Sequence, residues 1–203
     1  MVTGQDWVLM LAEAAGAALL ALAGRRIWAA YRLVQEASLG RLAYGLFLLA
    51  GSHVAALLLV VSVLLAGDSL PESIDHFDVL FWAYYGTMIS GLVGVFWSFG
   101  RHPFRWAPAL TGVLAVIGPV LEIVTIVALF FVVLHAGLNH LAQKGLGSGR
   151  VAVGFFFVFT AHTLGLANYS PILPRTWVGE LVNLVGVLIL FYAVARPRTV
   201  PNA

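Results

Sequence analysis

Two histidines interrupt long apolar runs: His53 in LAGSHVAALLLV and His162 in FFFVFTAHTLGLA. An imidazole inside hydrocarbon is expected to be neutral and hydrogen-bonded, or bound to a metal. Their depths can be read from the nearest basic residues. Arg41 and Arg150 mark where two helices leave the inner face, and each histidine follows twelve residues on. At ~1.5 Å per residue, both sit ~18 Å into a core ~30 Å thick. Two ligands on one level suit the axial positions of a flat metallocycle. His135 descends from the other face to ~10–12 Å from the inner one. It is a third candidate ligand, able to pair with either histidine or with a lower residue. The alternative for each histidine is a helix–helix hydrogen bond to Ser52, Thr160 or Thr163. His76, His102 and His140 fall at loops or interfaces and read as solvated.

Three carboxylates, Glu13, Glu122 and Glu180, also fall inside apolar segments, one or two turns from the outer face. With Thr125, Asn168 and Asn183 they would line an outward-facing polar cavity that passes protons, binds a cation or oxidises a quinol. The alternative is three separate carboxylates, each hydrogen-bonded to a neighbouring helix. Tyr84, Tyr85, Thr87 and Ser90 add polar surface to one more segment.

Other chemistries fail on the residues present. The chain has no cysteine, so disulfides, thiolate metal sites and Cys nucleophiles are excluded. Lys144 is the single lysine and lies at a loop, which removes a retinal Schiff base. No H-E-x-x-H zinc motif occurs. His135 and His140 are roughly 140° apart on a helix and make poor co-ligands. Ser52 and His53 are adjacent and point apart, so they form no nucleophile–base pair. GLGSG near Lys144 reads as a turn. A stand-alone hydrolase is not expected.

The elements that must hold these groups follow from composition. Of 203 residues, 61% are hydrophobic and 10% charged, with mean hydropathy +0.96. Soluble domains carry about 25% charge. Continuous apolar runs of about 18 to 25 residues match helices crossing a bilayer. The fold expected is all-α: one polytopic helical bundle over residues 1–203, in the cell membrane, with no soluble domain. The arginines are scattered, which argues against a nucleic-acid partner. The first apolar run has no basic region before it and reads as a retained helix.

The spans expected are 7–24, 42–66, 78–99, 104–118, 119–142, 150–168 and 177–195, with a break at Gly118-Pro119. Seven spans with the N-terminus outside put Arg25, Arg26, Arg32, Arg41, Arg101, Arg105, Lys144, Arg150, Arg196 and Arg198 inside, and only Arg175 outside. Merging 104–142 into one bent helix gives six spans and moves four of those ten outside. The excess of basic residues on cytoplasmic loops favours seven, with the C-terminus cytoplasmic. The first helix is expected to run on past the membrane, with Trp28 and Tyr31 at the interface. The small-residue clusters AEAAGAALLALAG and SGLVG predict close helix packing. No clean internal repeat stands out.

Small residues flank both histidines: Ala50, Gly51, Ser52, Ala55 and Ala56 beside His53, and Ala161, Gly165 and Ala167 beside His162. Phe155, Phe156, Phe157 and Phe159 would face a porphyrin or lipid. In this respect the chain resembles the small membrane subunits of b-type cytochromes. That resemblance implies haem b held by His53 and His162, electron transfer from a quinone pool to a redox partner subunit, and assembly into a homo- or hetero-oligomer. The competing expectation is a non-redox membrane protein, a transporter, sensor or accessory subunit, in which Glu13, Glu122 and Glu180 do the chemistry.

Overall fold

A computed structural model describes residues 4–66, 74–99, 118–143, 148–167 and 177–195. Among them are six helices and no strand: α1 Gly4–Val34, α2 Ala37–Ala66, α3 Ile74–Phe99, α4 Gly118–Gln143, α5 Ser148–Ala167 and α6 Trp177–Ala195. All six are long and apolar enough to cross a membrane. The expected span 104–118 lies outside the described residues except for Gly118, where α4 begins. Pro119 falls in the first turn of that helix, where its missing N–H costs nothing. The helix α1 continues to Val34, past the expected span 7–24, as the sequence led us to expect. Gln35 ends it in the left-handed region (φ 57°), its N–H donating to the Tyr31 carbonyl at 2.7 Å.

Each helix packs on the next, and α6 closes on α1, so the six form a ring. Cross-contacts give the directions. Gly16 lies against His53 and Gly24 against Phe47, so α1 and α2 are antiparallel. Gly45 meets Val95 while Ser52 reaches Met88, so α2 and α3 are antiparallel. Tyr85 bonds Glu122 and Phe96 stacks on His135, so α3 and α4 are parallel. Then α4–α5 and α5–α6 reverse again, through Glu122–His162, His140–Gly149 and Gly154–Leu190.

These contacts reveal a repeat that the bare sequence did not show. Glu13 and His53 are 40 residues apart, and so are Glu122 and His162. The two pairs share one offset (122 − 13 and 162 − 53, both 109). Gly45 and Gly154 keep that offset, as do Arg41 and Arg150. The third helix of each half follows a second offset (186 − 91 and 192 − 97, both 95). Gly45 approaches the Gly91 carbonyl so closely that a Cβ would lie 2.7 Å from it, and Gly186 approaches the Gly154 carbonyl equally closely. Arg41 sits over the Trp97 ring and Arg150 over the Tyr192 ring. Even the joints between halves correspond: Phe96 packs on His135, and Phe191 on Arg26. The described helices therefore form two three-helix sets, α1–α3 and α4–α6, running in the same direction around a pseudo-two-fold axis.

The bundle is apolar outside and partly polar within. Trp7, Leu11, Leu58, Phe130, Phe156 and Leu188 are exposed, whereas Glu13, Ser52, His53, Glu122, Thr125, His162, Glu180 and Asn183 are buried. That inversion suits a lipid surround. The small-residue clusters do sit at close helix contacts, with Gly16 and Gly24 on α2 and Gly91 and Gly94 against Gly45.

Candidate functional site

The sequence treated the histidines and the carboxylates as rival sites; the fold joins them. On α1, Glu13 points inward at 1% exposure, and its Oε2 lies 2.6 Å from Nδ1 of His53 on α2. On α4, Glu122 Oε1 lies 2.6 Å from Nδ1 of His162 on α5. The second oxygen of Glu122 accepts a hydrogen bond from the Tyr85 hydroxyl at 3.0 Å. Such short contacts are charge-assisted, and in a buried setting each partner is the other's compensation for lost hydration. A glycine makes the first pair possible. A Cβ on Gly16 would stand 2.8 Å from Nδ1 and Cε1 of His53, so only hydrogen at that position lets the ring lie flat on α1.

Ser52, Thr160 and Thr163 are therefore not the histidine partners, which corrects that expectation. Their hydroxyls donate to carbonyls on their own helices: Leu49, Phe156 and Phe159 respectively. Depth along a helix was legible, but which way each side chain faces was not. His53 and His162 do share one level, being equivalent positions of the repeat. They sit on α2 and α5, which stand across the ring from each other and are not packing neighbours. His135 lies thirteen residues beyond Glu122, about 20 Å of helix rise, with its ring against Phe96 at 4.7 Å and its Nδ1 buried without a partner. It joins neither pair.

Glu180, on α6, is buried with Asn183, whose Nδ2 donates to Glu180 Oε2 at 3.5 Å. With Glu122, Ala161, His162, Gly165 and Gly179 they line a small cavity. Its volume for the centre of a water-sized sphere is about 10 Å³, which is room for one water. His162 Nε2, Asn183 Oδ1 and Thr125 Oγ1 are buried and have no hydrogen-bond partner among the described residues. Asn168, expected beside them, lies outside the described residues. No protein-family model, no curated protein and no solved structure matches this chain. No group of three or more His, Asp or Glu able to hold a metal ion occurs among the described residues. The chemistry available is thus that of two carboxylate–imidazole pairs, one of which opens on a water-sized polar cavity with a further carboxylate.

Tyr85 was read in the sequence as polar surface and proves to be a ligand of the site. The available signal was its type: a tyrosine buried in such a segment usually packs with one hydrogen bond from its hydroxyl.

Proposed function

We propose that this chain is a small transport protein of the cell membrane, in which the buried Glu–His pairs take up and release a proton during the transport step. The observation that carries this is the duplicated pair itself. A carboxylate and an imidazole 2.6 Å apart hold one proton between them. Holding it, with the carboxylate ionised and the imidazole neutral, the pair carries a net charge of −1, and gaining a second proton makes it neutral. Ionisable groups at such depth in hydrocarbon are costly and mark proton or ion pathways. Two parallel halves around an axis along the membrane normal are a known plan for transporters that rock one half against the other. The joints α3–α4 and α6–α1 are thinner than the packing inside each half, which suits such rocking.

Seven spans belong to this reading. The parallel directions of α3 and α4 support it. The basic residues then put the Gln35–Glu36 turn and the C-terminus in the cytoplasm and the N-terminus outside.

Haem is the second reading, favoured by one observation. Nδ1 of each histidine is held by a carboxylate, the orientation that presents Nε2 to a metal. It needs a macrocycle-sized gap between α2 and α5, the helices that carry the two histidines. A quinone and a redox partner subunit would come with haem alone. Two measurements separate the readings. In proteoliposomes with a trapped pH dye, an imposed potential is expected to drive proton flux that Glu122→Gln and His162→Gln abolish. Unchanged flux in both variants overturns the transport reading. A Soret band with sharp α and β bands on reduction of the purified protein would install haem in its place.

A further inference from the structure

We propose that the cavity in the C-terminal half binds one small monovalent cation that donates hydrogen bonds, of the ammonium and hydronium class, and that the N-terminal half has lost the equivalent site. The inference names the ligand of the site in the transport reading and rests on that reading only for what the bound cation does next.

The groups around the cavity are matched to a donor. Nδ1 of His162 faces the Glu122 carboxylate. With that carboxylate ionised, Nδ1 holds the proton and Nε2 presents a lone pair. Nε2 is buried with no partner among the described residues, as is Asn183 Oδ1, and both residues border the cavity with the Glu180 carboxylate. Asn183 turns its amide N–H toward Glu180, which leaves the carbonyl end for a ligand. The described wall thus presents an imidazole nitrogen and an amide oxygen, beside the Glu122 and Glu180 carboxylates, which have partners of their own. A neutral apolar guest would strand these acceptors, at a cost of about 1–3 kcal/mol each. An anion would be repelled. An alkali cation prefers oxygen ligands throughout, whereas an imidazole nitrogen readily accepts an N–H or O–H. The volume fixes the size at one water or its charged relatives.

The repeat supplies an internal control. Applying its two offsets, the N-terminal counterparts of Gly165, Gly179, Glu180 and Asn183 are Ala56, Tyr84, Tyr85 and Met88. All four are buried. A phenol ring and a thioether chain thus stand where the C-terminal half has a glycine and an amide, and Tyr85 spends its hydroxyl on Glu122. The Glu13–His53 pair persists there as a structural joint, with bulk beside it instead of a polar cavity.

The test is calorimetric titration of the detergent-purified full chain with ammonium chloride, against potassium chloride at matched ionic strength. One saturable ammonium site per chain is expected, with no competing potassium site. Asn183→Met, which copies the N-terminal half, and Glu180→Gln, which keeps the shape, should each weaken binding at least tenfold. Met88→Asn should leave it within twofold. Binding that survives both cavity variants, or equal potassium affinity, overturns the proposal. No ammonium binding, with proton uptake on acidification that Glu180→Gln abolishes, assigns the site to hydronium within the proposed class. Neither response overturns the site. Ammonium binding without any proteoliposome flux would keep the site and reject transport.

Discussion

The Glu13–His53 contact allows a quantitative test of how much a buried pair stabilises the joint between α1 and α2. Replacing His53 by Leu leaves the Glu13 carboxylate at 1% exposure with its 2.6 Å partner gone. Stranding one member of a buried ion pair costs about 3–5 kcal/mol. Glu13→Leu strands the imidazole instead and costs a similar amount. The double variant removes both polar groups and refills the space with apolar atoms, a change that is often nearly neutral. The three variants and the parent close a cycle whose coupling energy, the two single costs less the cost of the double, should be about 6–10 kcal/mol. Neutral polar contacts between membrane helices average only about 0.6 kcal/mol and reach about 1.7, so the two classes separate cleanly. Unfolding by sodium dodecyl sulfate in mixed micelles, followed by circular dichroism, gives the four free energies. A coupling at or below about 0.6 kcal/mol would refute the reasoning, because the proton-sharing pair would then be an ordinary polar contact.

Three further outcomes are expected. Gly16→Ala places a methyl 2.8 Å from the His53 ring and should destabilise by about 1–3 kcal/mol through overpacking, measured by the same unfolding; in the His53→Ala background the penalty should vanish. Arg26→Ala removes a hydrogen bond to the Ala195 carbonyl at 3.0 Å and a contact with the Phe191 ring; faster amide exchange confined to the last turn of α6 is expected, with global stability changed by less than about 1 kcal/mol. Because the chain has no cysteine, single cysteines report sidedness directly: Gly4→Cys and Trp177→Cys should label from one face of a sealed vesicle and Glu36→Cys from the other. Labelling of positions 4 and 177 from opposite faces would break the parallel repeat.

Much of the architecture could be read from hydropathy alone, because a helix in lipid announces its length through its apolar run. The extension of the first helix to Val34 was legible from Trp28 and Tyr31, residue types suited to the interface. The equal depths of His53 and His162 were legible too, from twelve-residue spacings to Arg41 and Arg150. Those equal spacings were the repeat itself, seen through four residues and taken for a ligand geometry. The partners were not legible. Glu13 and Glu122 each sit 40 residues from their histidines, on another helix, and sequence spacing gives height along a helix without saying which neighbour a side chain faces. Depth estimates did place carboxylates and imidazoles within a turn or two of each other. Joining them required the order of helices around the ring, which hydropathy does not encode.

The correspondence of the two joints has a consequence for the origin of such a chain. The surface that α3 offers to α4 and the surface that α6 offers to α1 are versions of one interface, used twice. A single three-helix unit therefore carries both halves of a self-complementary contact, the condition for an isologous dimer. Two copies of residues 1–99 would close the same ring with two Glu13–His53 pairs. If two such units were fused, each copy would be freed from its twin: one could hold a glycine and an amide beside the pair, as the C-terminal half does, and the other tyrosine and methionine. A symmetric ancestor could not have changed one site without changing both.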